Sequence, residues 1–420
     1  MLDTTRRSAR PARRDIASSS AHRSGLGVAV AGMLLIAATY GMARFGVGLF
    51  APRLAQERPE LIEVLGAAAA AQFLAYSLAA VIAGRLVDRR PRAGLVLAGS
   101  TATLGSLGVA LASEPLFFIT SVVIAGMGGG FASPALVPVI DAVVARGARA
   151  TAQSVVNTGT GVGVIGAGLV AFSAPSVGSA WVVMAGLSAA AAAAVILPLH
   201  GRTDLGAAAR TGGGSQPGMG EGPDRQASTT ARLVWRKLLL PGTAAVVVGA
   251  GSALIWTFGP LLASESEVVA AAQVGWLWIA LGAGGLLGSF TGVLVTRLGE
   301  PAGFGVTAGV LAVASGVLAW ALLGDSGAAA YASMAIFGAG YMALSGVLIL
   351  WARRVWPGHA GAGTSVLFIA LATGQAVGSA GFGLVQGSWN PAVLAAVAAS
   401  LCLVGGGLAT IRAWKPRAGN

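Results

Sequence analysis

The chain of 420 residues is 55% apolar and only 10% charged, with a net charge of +12. Soluble domains carry about 25% charged residues, so this composition excludes an ordinary soluble protein and indicates a membrane protein. The positive charge does not indicate nucleic acid as a partner, because the basic residues lie in short clusters between apolar runs and are not interleaved with aromatic residues.

Twelve apolar segments have the length of about 20 residues that a membrane-spanning helix needs. The first six lie at 25–50, 63–86, 93–113, 115–141, 152–173 and 177–199, and the last six at 238–263, 273–296, 303–323, 327–351, 363–386 and 390–412. The sequence therefore predicts an all-α membrane protein of two six-helix bundles, 25–199 and 238–413. A basic tail (1–24), a glycine-rich linker (200–237) and a short C-terminal tail (414–420) complete the chain.

The distribution of Arg and Lys supports this segmentation. With the N-terminus inside, 24 of the 27 basic residues fall in the predicted cytoplasmic segments. The predicted outside loops hold only Arg53 and Arg58, and Arg44 lies within a helix. Because cytoplasmic loops are enriched in Lys and Arg, we expect twelve spans with both termini in the cytoplasm.

The two halves share sequence patterns. Residues 158–170 and 373–385 agree at eight of thirteen positions, including Thr, Val and Leu as well as glycines. A second, weaker match pairs 84–89 with 292–297. These offsets align the second helix with the eighth and the fifth with the eleventh, which predicts a parallel duplication with a site near the membrane midplane.

The segment Gly84-x-x-x-Asp88-Arg89-Arg90-Pro91-Arg92 resembles the G-x-x-x-D-R-x-G-R motif of the major facilitator superfamily, with Pro91 in place of the usual Gly. Residues 40–52 and 256–260 resemble the poorly characterised bacterial YbfB/YjiJ branch of that superfamily. The resemblance implies a secondary transporter of the bacterial cytoplasmic (inner) membrane, built on the major facilitator fold, that works as a monomer.

Arg44 is the main candidate for substrate binding. A charged residue within a membrane helix is costly and is expected to face the bundle interior. We expect its guanidinium to bind an anionic group such as a carboxylate, with Tyr40 one turn away on the same face. The alternative is a structural role, with Arg44 reaching the outer interface or bonding a helix carbonyl.

Other polar and aromatic residues of the spans could line the same site. Taken alone, each of these side chains is more readily explained by a hydrogen bond to a neighbouring helix than by contact with a ligand. Together they form a credible lining: Tyr76, Asn157, Trp256, Tyr341 and Gln375.

Five residues are candidates for gating. By the resemblance, Gly84, Asp88, Arg89 and Arg92 cap a helix end and latch the two bundles in the outward-open form. Asp141 ends the fourth span at the predicted cytoplasmic edge, where it could carry a coupled proton or join this charge cluster through Arg89 or Arg92.

The sequence predicts transport rather than catalysis, and it predicts no metal and no cofactor. The three histidines lie in separate segments, and no phosphate-binding loop occurs. The function expected is secondary active or facilitative transport of a small organic solute, with proton coupling as an option. Efflux of hydrophobic drug-like compounds and a non-transporting sensor on the same fold remain alternatives.

Overall fold

The computed structural model describes residues 25–87, 90–199, 225–357 and 360–411. We number its helices α1–α12 by the apolar segment that each occupies. The first half contains α1 (Gly25–Arg44, continuing as Gly46–Glu57), α2 (Leu65–Leu86), α3 (Pro91–Leu111), α4 (Pro115–Val143), α5 (Arg149–Ser173) and α6 (Val177–Ile196). The second half contains α7 (Arg225–Glu265), α8 (Val274–Leu286 and Thr291–Leu298), α9 (Glu300–Leu323), α10 (Gly327–Val355), α11 (Ala360–Val385) and α12 (Pro391–Thr410).

Eleven helices of the described residues are long and apolar enough to cross a membrane. The remaining predicted span, 273–296, is also helical, but the 3-10 turn Leu287–Phe290 divides it. Gly284, just before this turn, lies so close to α10 that an added Cβ would be 2.0 Å from the carbonyl oxygen of Ala335. All twelve predicted spans are thus helical among the described residues, with the eighth as a broken helix.

The seventh helix begins earlier than the sequence predicts. The structure starts α7 at Arg225, within the stretch 200–237 predicted as linker. The helix is permitted there because residues 225–237 contain neither Gly nor Pro. The rest of the predicted linker, residues 200–224, lies outside the described residues, as do both predicted tails.

The predicted duplication is visible in the packing of α5 on α1 and of α11 on α7. A Cβ added to Gly163 of α5 would lie 2.1 Å from the carbonyl oxygen of Ala37 in α1. A Cβ added to Gly378 of α11 would lie 2.2 Å from the carbonyl oxygen of Ala250 in α7. Glycines thus let the backbones touch at corresponding places in both halves, which is a common way for membrane helices to associate.

We call the end of the bundle where odd-numbered helices finish the outer end, following the arginine distribution, and the opposite end the inner end. Arg53 and Arg58, the two basic residues predicted outside, are bound to helix ends there. Arg53 donates to the carbonyls of Ala171 and Ala174 at the end of α5, and Arg58 to three carbonyls at the end of α3. Their charges satisfy C-terminal carbonyls and complement the helix dipoles.

The two halves pack tightly at the outer end, where α5 and α8 are in contact. A Cβ on Gly168 would lie 2.6 Å from the carbonyl oxygen of Gly275, and one on Gly161, two turns further in, would lie 3.5 Å from that of Gly282. The side chain of Leu286, one turn beyond Gly282, still reaches Gly161, at 3.6 Å from the added Cβ.

The halves separate toward the inner end along α2 and α11. At the outer end, a Cβ on Gly66 would lie 2.8 Å from the Cα of Gly383. At the inner end, a Cβ on Gly84 of α2 or Gly361 of α11 would meet nothing within 4 Å. Gly84 shares a face of α2 with Gly66, five turns away. The structure is therefore closed between the halves at its outer end and separated at its inner end.

Candidate functional site

Arg44 lies deep within the first half. It ends an eight-residue π-helix, Ala37–Arg44, after which α1 restarts at Gly46 as an ordinary α-helix. Nine residues separate it from Arg53, so it lies about 13 Å below the outer end of α5. Because the hydrocarbon core is about 30 Å thick, this depth is close to the midplane. The side chain is only 3% exposed and does not reach the outer interface.

Aromatic rings surround the guanidinium of Arg44. Its central carbon lies 3.8 Å from the ring centroid of Tyr76, 4.7 Å from that of Tyr40, and 5.0 and 5.2 Å from those of Phe45 and Phe73. Such contacts recover part of the energy that a buried cation loses by leaving water. We call these four residues the aromatic cage.

The guanidinium of Arg44 has no anionic partner among the described residues. Its Nε is buried and has no hydrogen-bond partner within that part of the chain. An uncompensated charge at this depth is energetically expensive, and ionisable residues so placed are commonly functional.

The two tyrosines of the cage are linked to each other. The hydroxyl of Tyr40 donates to that of Tyr76 across 2.5 Å, and their rings meet edge to face with centroids 5.4 Å apart. The ring of Tyr40 lies over Gly129 of α4, where an added Cβ would be 2.8 Å from the ring. The glycine therefore provides the room that this side of the cage needs.

A second aromatic cluster faces the cage from the other half of the molecule. Trp256 of α7 stacks on Phe45 with centroids 3.8 Å apart, and Tyr341 of α10 meets Trp256 edge-on at 5.1 Å. The amide nitrogen of Gln375 in α11 donates to the hydroxyl of Tyr341 at 3.1 Å. Two buried atoms here, Nε1 of Trp256 and Oε1 of Gln375, have no hydrogen-bond partner among the described residues.

A small cavity lies between the two halves at this level. Its volume is about 10 Å³, and its lining includes Arg44, Gln72, Phe73, Trp256 and Thr257. A cavity of that size holds about one water molecule. Buried N–H donors of Arg44 and Trp256, one from each half, therefore belong to residues that border the same space.

The structure brings the predicted binding residues Arg44, Tyr40, Tyr76, Trp256, Tyr341 and Gln375 into one continuous set of contacts. Asn157 is not part of it. That residue is exposed on α5, where its side-chain oxygen accepts a hydrogen bond from Gln153 at 3.4 Å.

The predicted gating residues lie at the inner end, as far as the structure describes them. Gly84 is exposed, and Arg92 donates a hydrogen bond to the carbonyl of Leu199 at the end of the first half. Asp141 is half exposed and lies 3.7 Å from Arg149, rather than beside Arg92. This local pair forms because α4 and α5 are joined by a short turn, Arg146–Ala148. Asp88 and Arg89 lie outside the described residues.

Sequence reasoning missed the aromatic walls of the site. Phe45, Phe73, Trp278 and Phe337 all contact the predicted residues, the last two by meeting Trp256 edge-on at 5.9 and 5.4 Å. Phe73 could have been found from its place one turn before Tyr76 on α2. An aromatic residue that lacks such a spacing to a predicted site residue cannot be distinguished from an ordinary packing residue in so apolar a sequence.

The model of the Major Facilitator Superfamily matches residues 33–379. The chain belongs to this superfamily. It is accordingly an integral, multi-pass membrane protein of the transporter type, as the spans and the duplicated packing also indicate. No curated protein matches the chain.

Solved transporters share the superfamily fold with this chain. An auto-inhibited POT family peptide transporter aligns with a TM-score of 0.68 at 15% identity, over 95% of this chain and 98% of its own. The nucleoside transporter NupG aligns with a TM-score of 0.69 at 12% identity, over 92% of this chain and 99% of its own. At such low identity these likenesses concern the fold alone.

Proposed function

We propose that this protein transports a small organic anion, most readily a carboxylate, by alternating access across the bacterial cytoplasmic membrane, with both termini in the cytoplasm. The observation that carries the proposal is the buried charge of Arg44, which borders a cavity between the two halves and has no counter-ion in the described part of the chain. An anion entering this space neutralises the charge and accepts charge-assisted hydrogen bonds from it.

A contrast with two other arginines of the same half supports a ligand-binding role for Arg44. Arg53 and Arg58 are structural, and their guanidinium groups donate to the carbonyls of neighbouring helices. Arg44 has aromatic faces around it instead, which leave its Nε without an acceptor within the described ranges. A side chain selected for packing alone has no reason to keep a bare charge near the midplane.

The separation of the halves at the inner end supports alternating access. In this proposal the structure is the form open toward the cytoplasm, and the opposite form brings the inner ends of α2 and α11 together. Gly84, Asp88, Arg89, Arg92 and Asp141 act in that closure. The transporter works as a monomer, and its energy comes from the solute gradient or from a proton that travels on the substrate or through Asp141.

We expect Gly84→Ala to slow transport without destabilising the protein. The added Cβ has open space here and removes a helix glycine, so the variant should match the parent or exceed it by up to about 1 kcal/mol. Closing the inner end would press that Cβ against α11. Melting temperature and vesicle uptake test this, with Gly186→Ala, another glycine with open space, as control. Parental uptake by Gly84→Ala would remove Gly84 from the gate.

The proposed substrate class is tested by thermal stability of the purified protein against a panel of metabolites. A ligand at a hundredfold excess over its dissociation constant stabilises the native state by about 2.7 kcal/mol. We expect carboxylates to stabilise the parent but not Arg44→Ala. If neutral or cationic compounds stabilise both proteins equally, the anion proposal is wrong and efflux of hydrophobic compounds becomes the better account. Accumulation of labelled ligand inside vesicles separates a transporter from a sensor.

A further inference from the structure

Gln375 has a buried acceptor that packing does not use. The residue is fully buried, and its amide nitrogen is satisfied by the hydroxyl of Tyr341, but its Oε1 finds no donor within the described ranges. Leaving such an atom bare is costly in a protein interior. A donor supplied by a bound molecule would remove that cost.

The other buried glutamine of the site, Gln72, lines the cavity and also holds helices together through its amide nitrogen. The nitrogen of Gln72 donates to the carbonyls of Ala43 and Val122, so it joins three helices of the first half. Within the described ranges Gln375 forms no comparable bridge between helix backbones, since its amide nitrogen donates to Tyr341, itself a side chain of the site. The difference favours a recognition role for Gln375 over a role in holding helices together.

A series of aromatic contacts connects Gln375 to Arg44. Tyr341 meets Trp256 edge-on, Trp256 stacks on Phe45, and the ring of Phe45 lies 5.0 Å from the guanidinium of Arg44. An acceptor in the second half and a cation in the first therefore flank one aromatic layer. Gln375 is fully buried and lies outside the lining of the small cavity, so a molecule that bonds both groups requires the aromatic layer between them to move.

We infer that Gln375, held by Tyr341, forms a second subsite that accepts a hydrogen bond from a hydroxyl or amino group of the substrate. The substrate is then a bifunctional acid, a hydroxy- or amino-substituted carboxylate, rather than a plain alkyl or aryl acid. This inference rests on the proposed anion transport, because Arg44 is taken to hold the carboxylate.

Matched acids test the subsite on the purified full-length protein. One series is butyrate, 4-hydroxybutyrate and 4-aminobutyrate, and the other is phenylacetate with its 4-hydroxy and 4-amino derivatives. Affinities are measured by calorimetry for the parent, for Gln375→Met, which keeps a similar volume, and for Tyr341→Phe. We expect the parent to bind a substituted acid of at least one series about tenfold more tightly than the plain acid, as a satisfied buried acceptor should give.

Gln375→Met should abolish that preference, so that plain and substituted acids bind with equal affinity, and Tyr341→Phe should weaken the preference in the same direction. If the parent binds plain and substituted acids equally, or if Gln375→Met retains the preference, the subsite is refuted while the anion proposal stands. If no acid of either series binds the parent, the anion site fails and this subsite fails with it. Should Gln375→Met not fold, the parent comparison and Tyr341→Phe decide the matter.

Discussion

The first and seventh helices occupy equivalent places in the two halves, yet only the first carries a charge at the level of the site. Gly163 contacts Ala37 and Gly378 contacts Ala250, and the contacted alanines are 213 positions apart. The same offset places Thr257 of α7 opposite Arg44 of α1, with Phe-Gly following in each.

The side chains at these equivalent positions differ in how they are satisfied. The hydroxyl of Thr257 lies 3.0 Å from that of Ser379, so its polar group is paired within the second half. Arg44 has the aromatic cage but no counter-ion among the described residues. The duplication has thus kept the backbone packing of both halves and changed the chemistry of one. The packing serves the fold, and the unpaired charge is what we assign to the substrate.

We expect the largest loss of stability at the close glycine contacts that the two halves share. Gly163→Ala and Gly378→Ala each place a methyl group about 2 Å from a carbonyl oxygen, which is too close for any side-chain adjustment to relieve. We expect each variant to lose about 3 kcal/mol of stability or more, or to yield no folded protein. Melting temperature and membrane yield are the measurements. Gly186→Ala and Gly381→Ala, whose Cβ would have open space, are the controls, and equal damage by all four would contradict the comparison.

The next prediction compares Arg44 with Thr257, because substitutions at these equivalent positions should change the melting temperature in opposite directions. Arg44→Met should lower affinity for the anion by about 100-fold or more, because the charge that holds the ligand is gone. It should also raise the melting temperature, since an unpaired buried charge is removed. Thr257→Val should lower the melting temperature instead, by leaving Ser379 unpaired at a cost of about 1 kcal/mol. A lower melting temperature for Arg44→Met would indicate that Arg44 is structural after all.

A smaller effect tests whether the second half contributes to the anion site. Trp256→Phe keeps the stack on Phe45 but deletes the buried N–H of a residue that lines the cavity, so affinity for the anion should fall about tenfold. Trp278→Phe deletes another buried N–H without a partner among the described residues, from a side chain outside the cavity lining. We expect that variant to bind as the parent does. Equal losses from both would refute a direct role for Trp256.

Much of this architecture could be predicted from the sequence, because it follows from repeated, chain-wide patterns. Apolar length gave the spans, and the glycine repeat of α5 and α11 gave the duplication that the packing confirms. Arg44 was identifiable because a lone cation in an apolar run is conspicuous. Those signals depend on composition and spacing, which the fold does not alter.

The remaining features depend on tertiary contacts. No local sequence pattern predicts that Ala37–Arg44 forms a π-helix. No such pattern predicts the 3-10 turn Leu287–Phe290 that divides α8 either. Polarity alone does not separate Asn157, which is exposed, from Gln375, which is buried beside Tyr341. The pairing of Asp141 with Arg149 likewise depends on how the short turn after α4 folds.

Uptake into vesicles tests the central claim most directly. The protein is reconstituted into liposomes, and accumulation of a labelled carboxylate chosen from the thermal panel is followed for the parent, Arg44→Gln and Lys237→Gln. The last variant removes the same charge from an exposed position at the start of the seventh span. We predict saturable uptake by the parent and by Lys237→Gln, and none by Arg44→Gln. Parental uptake by Arg44→Gln would contradict the account, because the anion would then be recognised without the charge assigned to it.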